Sequence, residues 1–283
     1  MTITFEHVTF RYAPDEPPAL NDLGVHFKTS RLIGMCGRAG SGKSTCIQHL
    51  NGILKPASGR VLIDGEDIHA TKQALQRVRR RIGMSFQFPE RQLFGRTVWE
   101  ELTYTLEYHK LSPDAQERRV TEACQWLDFD LPRYRAWSPF SLSRNEQRKL
   151  GSAVVLALRP ELVVFDEPTA GFDRKQAYRL LDTLYALHRR GLCQVMLVSH
   201  DIELLLEYAD EIVVFGAGTI VWQGTPQALL DSPQCLELSG LMLPEVYAKL
   251  RQSGGQFSGL PSAGGSLHSL LQKLARPAPL TER

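Results

Sequence analysis

The stretch Arg31-Leu32-Ile33-Gly34-Met35-Cys36-Gly37-Arg38-Ala39-Gly40-Ser41-Gly42-Lys43-Ser44-Thr45-Cys46-Ile47 decides the fold. Its first six residues form a short apolar run of strand length. Its middle fits the pattern G-x-x-x-x-G-K-[ST], and beyond it Cys46, Ile47, Leu50 and Leu54 recur at helical spacing. Strand, glycine-rich loop and helix therefore follow in the order the motif needs. Glycines let backbone N–H groups close around a triphosphate at the positive end of a helix. Lys43 is long enough to reach the β- and γ-phosphates, and the Ser44 hydroxyl can ligate Mg²⁺. The loop implies ATP–Mg²⁺ binding through Gly37, Arg38, Ala39, Gly40, Ser41, Gly42, Lys43, Ser44 and Thr45.

Downstream, Leu162-Val163-Val164-Phe165-Asp166-Glu167-Pro168 places two carboxylates directly after four apolar residues, at the C-terminal edge of a buried strand where α/β proteins carry their sites. Asp166 is the metal-side candidate, and Glu167 is placed to orient or deprotonate a water attacking the γ-phosphate. A later strand, Val195 to Val198, ends in Ser199-His200-Asp201, so His200 reaches the same edge and is a candidate γ-phosphate contact.

The surrounding pattern extends this reading. Ile3, Phe5, Val8 and Phe10, then Leu20, Leu23, Val25 and Phe27, predict antiparallel strands on either side of a proline-rich turn. Strands at 61–63 and 82–85 flank a basic helical segment. The stretch from Val98 to about Phe129 carries helical apolar spacing, and Pro132 and Pro139 then break the pattern. From Leu142 the order is helix, strand 162–165, helix 175–188, strand 195–198, helix 202–208, strand 212–215 and a hairpin partner at 220–222. That alternation calls for a mostly parallel sheet covered on both faces. Beyond Pro226 the chain reads as helical to about Gln252, followed by a tail rich in Gly, Ser and Pro with one short helix at 267–274.

Composition sets the outer limits. With 283 residues, 43% hydrophobic and 23% charged, the chain is an ordinary globular protein with a sizeable core. A balance of 33 basic to 31 acidic residues gives no electrostatic footprint for nucleic acid, and Arg77-Val78-Arg79-Arg80-Arg81 reads as a solvated helix face. No apolar run approaches the roughly 20 residues that cross a bilayer, and residues 1–7 lack the features of a secretory leader, so the expectation is a cytosolic chain. Cys36, Cys46, Cys124, Cys193 and Cys235 are scattered and mostly lie in apolar runs, which reads as reduced core thiols. Trp99, Trp126, Trp137 and Trp222 share no spacing and read as packing residues.

From about residue 3 to residue 225 the chain resembles, in order, the ATP-binding subunits of ABC transporters. Phe10-Arg11-Tyr12 is similar to the aromatic loop that stacks on adenine, which assigns Tyr12. Gln87 is similar to the Q-loop glutamine, a catalytic and metal-side residue, and His200 to the switch histidine. Ala170-Gly171-Phe172-Asp173 resembles the D-loop. Where the family carries its signature Leu-Ser-Gly-Gly-Gln, this chain reads Leu142-Ser143-Arg144-Asn145-Glu146, without either glycine.

Within the family, Gln87-Phe88-Pro89-Glu90-Arg91-Gln92-Leu93-Phe94 resembles the segment found in energy-coupling-factor importers for vitamins and transition-metal ions, and 238–250 resembles their C-terminal extension. The resemblance implies an α/β P-loop NTPase core, an N-terminal antiparallel β subdomain and a helical subdomain at about 88–158 carrying the signature. Residues 1–230 then form the nucleotide-binding domain, 231–252 a helical extension and 253–283 a flexible tail. It also implies an ATP hydrolase that closes as a dimer, with Ser143, Arg144, Asn145 and Asp173 facing the partner's nucleotide. The missing signature glycines favour pairing with a different ATPase. A transmembrane coupling subunit would contact 88–94, a separate membrane protein would choose the solute, and the chain would sit peripherally on the cytoplasmic face of the membrane. The alternatives are an ABC ATPase of another transporter class or a soluble nucleic-acid-associated one. A P-loop kinase is disfavoured by Gln87, Asp173 and His200.

Overall fold

The computed structural model describes residues 1–28, 30–231 and 241. The order of elements is β1 (Thr2–Phe10), β2 (Leu20–Lys28), β3 (Ile33–Gly37), α1 (Lys43–Leu50), β4 (Ser58–Ile63), β5 (Glu66–Asp67), α2 (Lys72–Arg81) and β6 (Ile82–Ser85). Then follow α3 (Val98–Tyr108), α4 (Pro113–Trp126), α5 (Leu131–Tyr134), α6 (Arg144–Ala157), β7 (Leu162–Asp166), α7 (Arg174–Arg189) and β8 (Gln194–Val198). The described part closes with α8 (Ile202–Tyr208), β9 (Glu211–Gly216), β10 (Thr219–Gly224) and α9 (Pro226–Asp231).

Two sheets result. The first is antiparallel, in the order β2-β1-β4-β5, and the second runs β10-β9-β3-β8-β7-β6 with every pair parallel except β10 with β9. The parallel strands are buried on both faces, and their alternation splits the interior into two cores. Ile33, Met35, Leu162, Val164, Met196 and Val198 join the core shared with β1, β2, β4 and α1. Leu32, Cys36, Val163, Phe165, Val195 and Leu197 join the other, formed with α3, α4, α6, α7 and α8. Strand β3 lies between β9 and β8, and β8 lies between β3 and β7. The loops leaving β3, β7 and β8 therefore emerge side by side at one edge.

Helix starts follow side-chain caps. Thr71, Thr97, Ser112, Ser143, Asp173 and Asp201 each accept a hydrogen bond from a backbone N–H in the first turn of the helix they precede. The stretch of helical spacing from Val98 to about Phe129 holds two helices. Ser112 caps a new helix with Pro113 in its first turn, so the chain restarts there. Pro132 likewise opens α5 instead of ending a helix. The expected extension beyond Asp231 and the tail at 253–283, with Cys235, lie outside the described residues except for Leu241.

The basic run on α2 lies on an exposed face, as expected, and is held there by ion pairs and hydrogen bonds. Arg77 pairs with Glu66, Arg79 donates to the carbonyls of Asn51 and Gly52, and Arg81 bridges Asp64 at 2.5 Å and Glu161 at 2.7 Å. Cys36, Cys46, Cys124 and Cys193 are buried, and none of them is in a disulfide among the described residues. Burial pushes the Cys124 thiol up to about 12 and the Cys193 thiol to about 11, which keeps both protonated and inert.

Candidate functional site

Helix α1 begins at Lys43, earlier than the apolar spacing from Cys46 predicts, because Gly42 takes a left-handed φ of 104° and turns the loop straight into the helix. A Cβ at Gly42 would lie 2.6 Å from the Ala19 carbonyl oxygen, so the loop is also held against the turn before β2. The Lys43 ammonium folds back over the loop, donating to the carbonyls of Gly37 at 2.7 Å and Arg38 at 2.9 Å and to Ser41 Oγ at 3.3 Å. Burial lowers its pKa, while Glu167 and Asp166 act to raise it. A buried cation resting on carbonyl oxygens marks a place where phosphate oxygens can replace them.

The carboxylate pair at the end of β7 splits in environment. Asp166 is 8% exposed and accepts a hydrogen bond from the Ser44 hydroxyl at 2.9 Å, across 122 residues of sequence. Burial raises its pKa, with Glu167 adding to the effect and Ser44 and Lys43 opposing it. Glu167 follows with a left-handed φ of 51°. Its carboxylate is clamped by the end of β8: the His200 backbone N–H donates at 2.9 Å, the Ser199 hydroxyl donates at 3.2 Å, and His200 Nδ1 lies 2.9 Å away. Ser199 is the member of this group that motif reading missed.

Loop residues 39–45, Tyr12, Gln87, Asp166 and Glu167 line one cavity of about 810 Å³. The Tyr12 hydroxyl is 3.0 Å from Thr45 Oγ1, and its ring is 60% exposed, open to a stacking partner. Pro17, Pro18, Ala19 and Gly218 also line the cavity; they carry no motif and were not expected from the sequence. His200 reaches the cavity only through Glu167. Ser143, Arg144, Asn145 and Asp173 are placed elsewhere, with Ser143 capping α6 and Asp173 capping α7.

The donor set fits a hard divalent cation. Ser44 Oγ and Asp166 Oδ2 are oxygens already 2.9 Å apart, in a cavity that also holds the ammonium a triphosphate needs. No group of three or more His, Cys, Asp or Glu side chains among the described residues forms an all-protein metal cage. Mg²⁺ keeps waters and substrate phosphates among its ligands, so two protein oxygens are enough to receive it.

Residues 20–170, from β2 past the carboxylate pair, match the model of the ABC transporter family. The chain belongs to that family. Among curated relatives it is 40% identical over 260 residues, 90% of each chain, to an energy-coupling factor transporter ATP-binding protein EcfA2 of Symbiobacterium thermophilum. It is 37% identical over 282 residues, covering 98% of this chain and 96% of the other, to the protein of the same name from Bacillus thuringiensis. Among solved structures it is similar to cbiO1 from Clostridium perfringens, part of the ABC transporter complex cbiONQ, with a TM-score of 0.74 and 27% identity over 88% of this chain and 98% of that one. It also resembles the ATP-binding cassette MJ0796, a dimer in a post-hydrolysis state with ADP and Pi, with a TM-score of 0.71 and 25% identity over 79% and 98%. This ABC protein is an ATPase that binds ATP with Mg²⁺ and couples its hydrolysis to transport. None of its described helices is long and apolar enough to cross a membrane.

Proposed function

We propose that this chain is the ATPase subunit of an energy-coupling-factor importer for a small solute, a vitamin or a transition-metal ion. In this reading residues 1–230 are the nucleotide-binding domain, with the helical subdomain at about 88–158 and a C-terminal extension after it. The chain works on the cytoplasmic face of the membrane, held there by a transmembrane coupling subunit, while a separate membrane protein binds the solute. The observation that carries it is the meeting of Lys43, Ser44, Gln87, Asp166 and Glu167 on one cavity, in a chain that resembles EcfA2 proteins over most of its length.

Within the site Lys43 would leave its carbonyl partners to hold phosphate oxygens, and Ser44 and Asp166, with Gln87 beside them, would hold Mg²⁺. Mg²⁺, when bound, neutralises charge on the β- and γ-phosphates. Glu167 takes the proton of the attacking water or orients that water, and His200, already on the Glu167 carboxylate, fixes its direction. Tyr12 stacks on the base.

The segment after Gln87 suits a docking role. Leu93 is buried, Phe94 is 58% exposed and packs edge-to-face on the exposed Tyr104 with ring centroids 4.8 Å apart. The buried Glu101 carboxylate accepts from the backbone N–H groups of Phe94 at 2.8 Å and Gly95 at 2.6 Å, which holds Phe94 outward.

Pairing with a different ATPase is supported by the start of α6. Ser143 caps the helix, Arg144 and Asn145 fill its first turn, and Glu146 closes a capping box on Ser143, donor distances being 3.0 Å from its N–H and 2.8 Å from its hydroxyl. A carboxylate already occupies the helix N-terminus where a partner's γ-phosphate would approach, so this chain supplies a poor trans surface while keeping complete cis residues. The test is turnover of the chain alone and with its partner ATPase in the assembled complex. Slow hydrolysis alone, fast hydrolysis in the complex and loss of the fast rate in Glu167→Gln with ATP still bound are expected. Homodimer turnover equal to that of the complex would refute the asymmetric pairing.

A further inference from the structure

Arg148, in the second turn of α6, is 6% exposed and belongs to no motif in the site. Its Nε and Nη2 donate to the two carboxylate oxygens of Glu90 at 3.4 and 3.3 Å. Glu90 lies in the 3-10 turn Pro89–Gln92, which opens two residues after Gln87. α6 presses on the same turn one helical turn later, where a Cβ on Gly151 would lie 2.6 Å from Pro89 Cβ.

The other side of the guanidinium meets the turn that follows Glu167. Gly171 has a φ of +72°, and a Cβ there would fall 2.1 Å from Arg148 Nη1 and 2.4 Å from Nη2, so only glycine permits this approach. The Phe172 ring centroid is 5.5 Å from Arg148 Cζ. The turn is tied to the catalytic strand end by a hydrogen bond from the Ala170 N–H to the Glu167 carbonyl at 3.1 Å. Arg148 Nη1 is buried with no hydrogen-bond partner, leaving one donor unused against this turn.

One side chain thus touches the segment after Gln87, the helix that starts at Ser143 and the turn after Glu167. Its bonds to Glu90 are at the long end of the hydrogen-bond range, and its spare donor faces the turn. Both features suit a contact that tightens or shifts when either neighbour moves. We propose that Arg148 is a positioning residue that couples the turn at 169–172 to the Glu90 segment, so that a change at the nucleotide site is passed to the surface at 88–94. It touches neither ATP nor Mg²⁺ and acts only through Glu90 and the turn. The coupling rests on the reading that the phosphate loop and Glu167 border the nucleotide.

The experiment is hydrogen exchange on the full chain with and without Mg-ATP, following peptides that cover 38–45, 88–93 and 167–173. In the unaltered protein Mg-ATP slows exchange in all three, by about fivefold or more at 88–93. Arg148→Gln and Glu90→Gln keep the response at 38–45, which shows that each variant is folded and binds ATP, and lose it at 88–93. Exchanging the charges, Glu90→Arg with Arg148→Glu, restores it in part. Retention of the full response at 88–93 in Arg148→Gln, or its absence there in the unaltered protein while 38–45 is protected, would overturn the coupling. No protection at 38–45 in the unaltered protein would overturn the site reading and the coupling with it.

Discussion

Replacing Asp166 by Asn should stabilise the nucleotide-free protein and at the same time remove most of its response to Mg-ATP. Asp166 is buried, and its carboxylate is raised in pKa chiefly because burial disfavours the charge, with Glu167 adding repulsion. Between the ordinary carboxylate value of 3.8 and the raised one, the folded state holds more protons than the unfolded state. Stability therefore falls as pH rises through that window, and the deficit persists at neutral pH. Asn removes the charge, and its amide oxygen can still accept the Ser44 hydroxyl that Asp166 accepts at 2.9 Å. Lys43 keeps Glu167 as a counter-charge. Relief of one such destabilised site is worth roughly 0.5–2 kcal/mol, which at about 2–4 °C per kcal/mol is a rise of about 1–8 °C in Tm. In the unaltered protein ATP at about 100 times its Kd adds about 2.7 kcal/mol, or roughly 5–11 °C on the same scale. Thermal unfolding with ATP, with and without Mg²⁺, across acid to neutral pH reads all of this. An Asp166→Asn protein no more stable than its parent at neutral pH would refute the burial argument, and one that keeps the full Mg²⁺-dependent shift would remove Asp166 from the metal side.

Lys43→Ala should abolish ATP binding by equilibrium fluorescence titration, because it removes the ammonium held over the loop by the Gly37 and Arg38 carbonyls. Unchanged affinity would refute its role. Ser143→Ala should cost about 1 kcal/mol of stability, since it removes the side-chain acceptor of the capping box on α6. Chemical denaturation checks it, and an unchanged midpoint would show that the cap contributes nothing.

What could be read from the sequence, and what could not, divides by the range over which each feature is determined. The phosphate loop is a local object: its glycines, Lys43 and Ser44 lie within one turn between β3 and α1, so spacing alone implies the geometry. The positions of Asp166 and His200 follow from a second local rule, that alternating strands and helices bring strand ends to one edge. The parallel pairing of β3 with β8 and of β8 with β7 does bring those ends together. The break between α3 and α4 was legible in Ser112-Pro113 but was masked by apolar spacing that continues across it. Other features required the folded chain, because they join residues distant in sequence and without any motif. Ser199 holds Glu167 from 32 residues away, and the turn before β2 walls the cavity.

The same distinction bears on the altered signature. As a string, Leu142-Ser143-Arg144-Asn145-Glu146 reads as the loss of two glycines. In the fold it is also a gain, because Glu146 both caps α6 and accepts a hydrogen bond from Tyr134. Its carboxyl is held below its ordinary value by Tyr134 and Ser143 although burial pushes the other way. It is therefore ionised at neutral pH, and the start of α6 presents a carboxylate instead of open N–H groups. On the proposed asymmetric pairing, a capped α6 that no longer offers an anion-binding end is what a subunit would carry when its own phosphate loop does the chemistry and its partner supplies the signature.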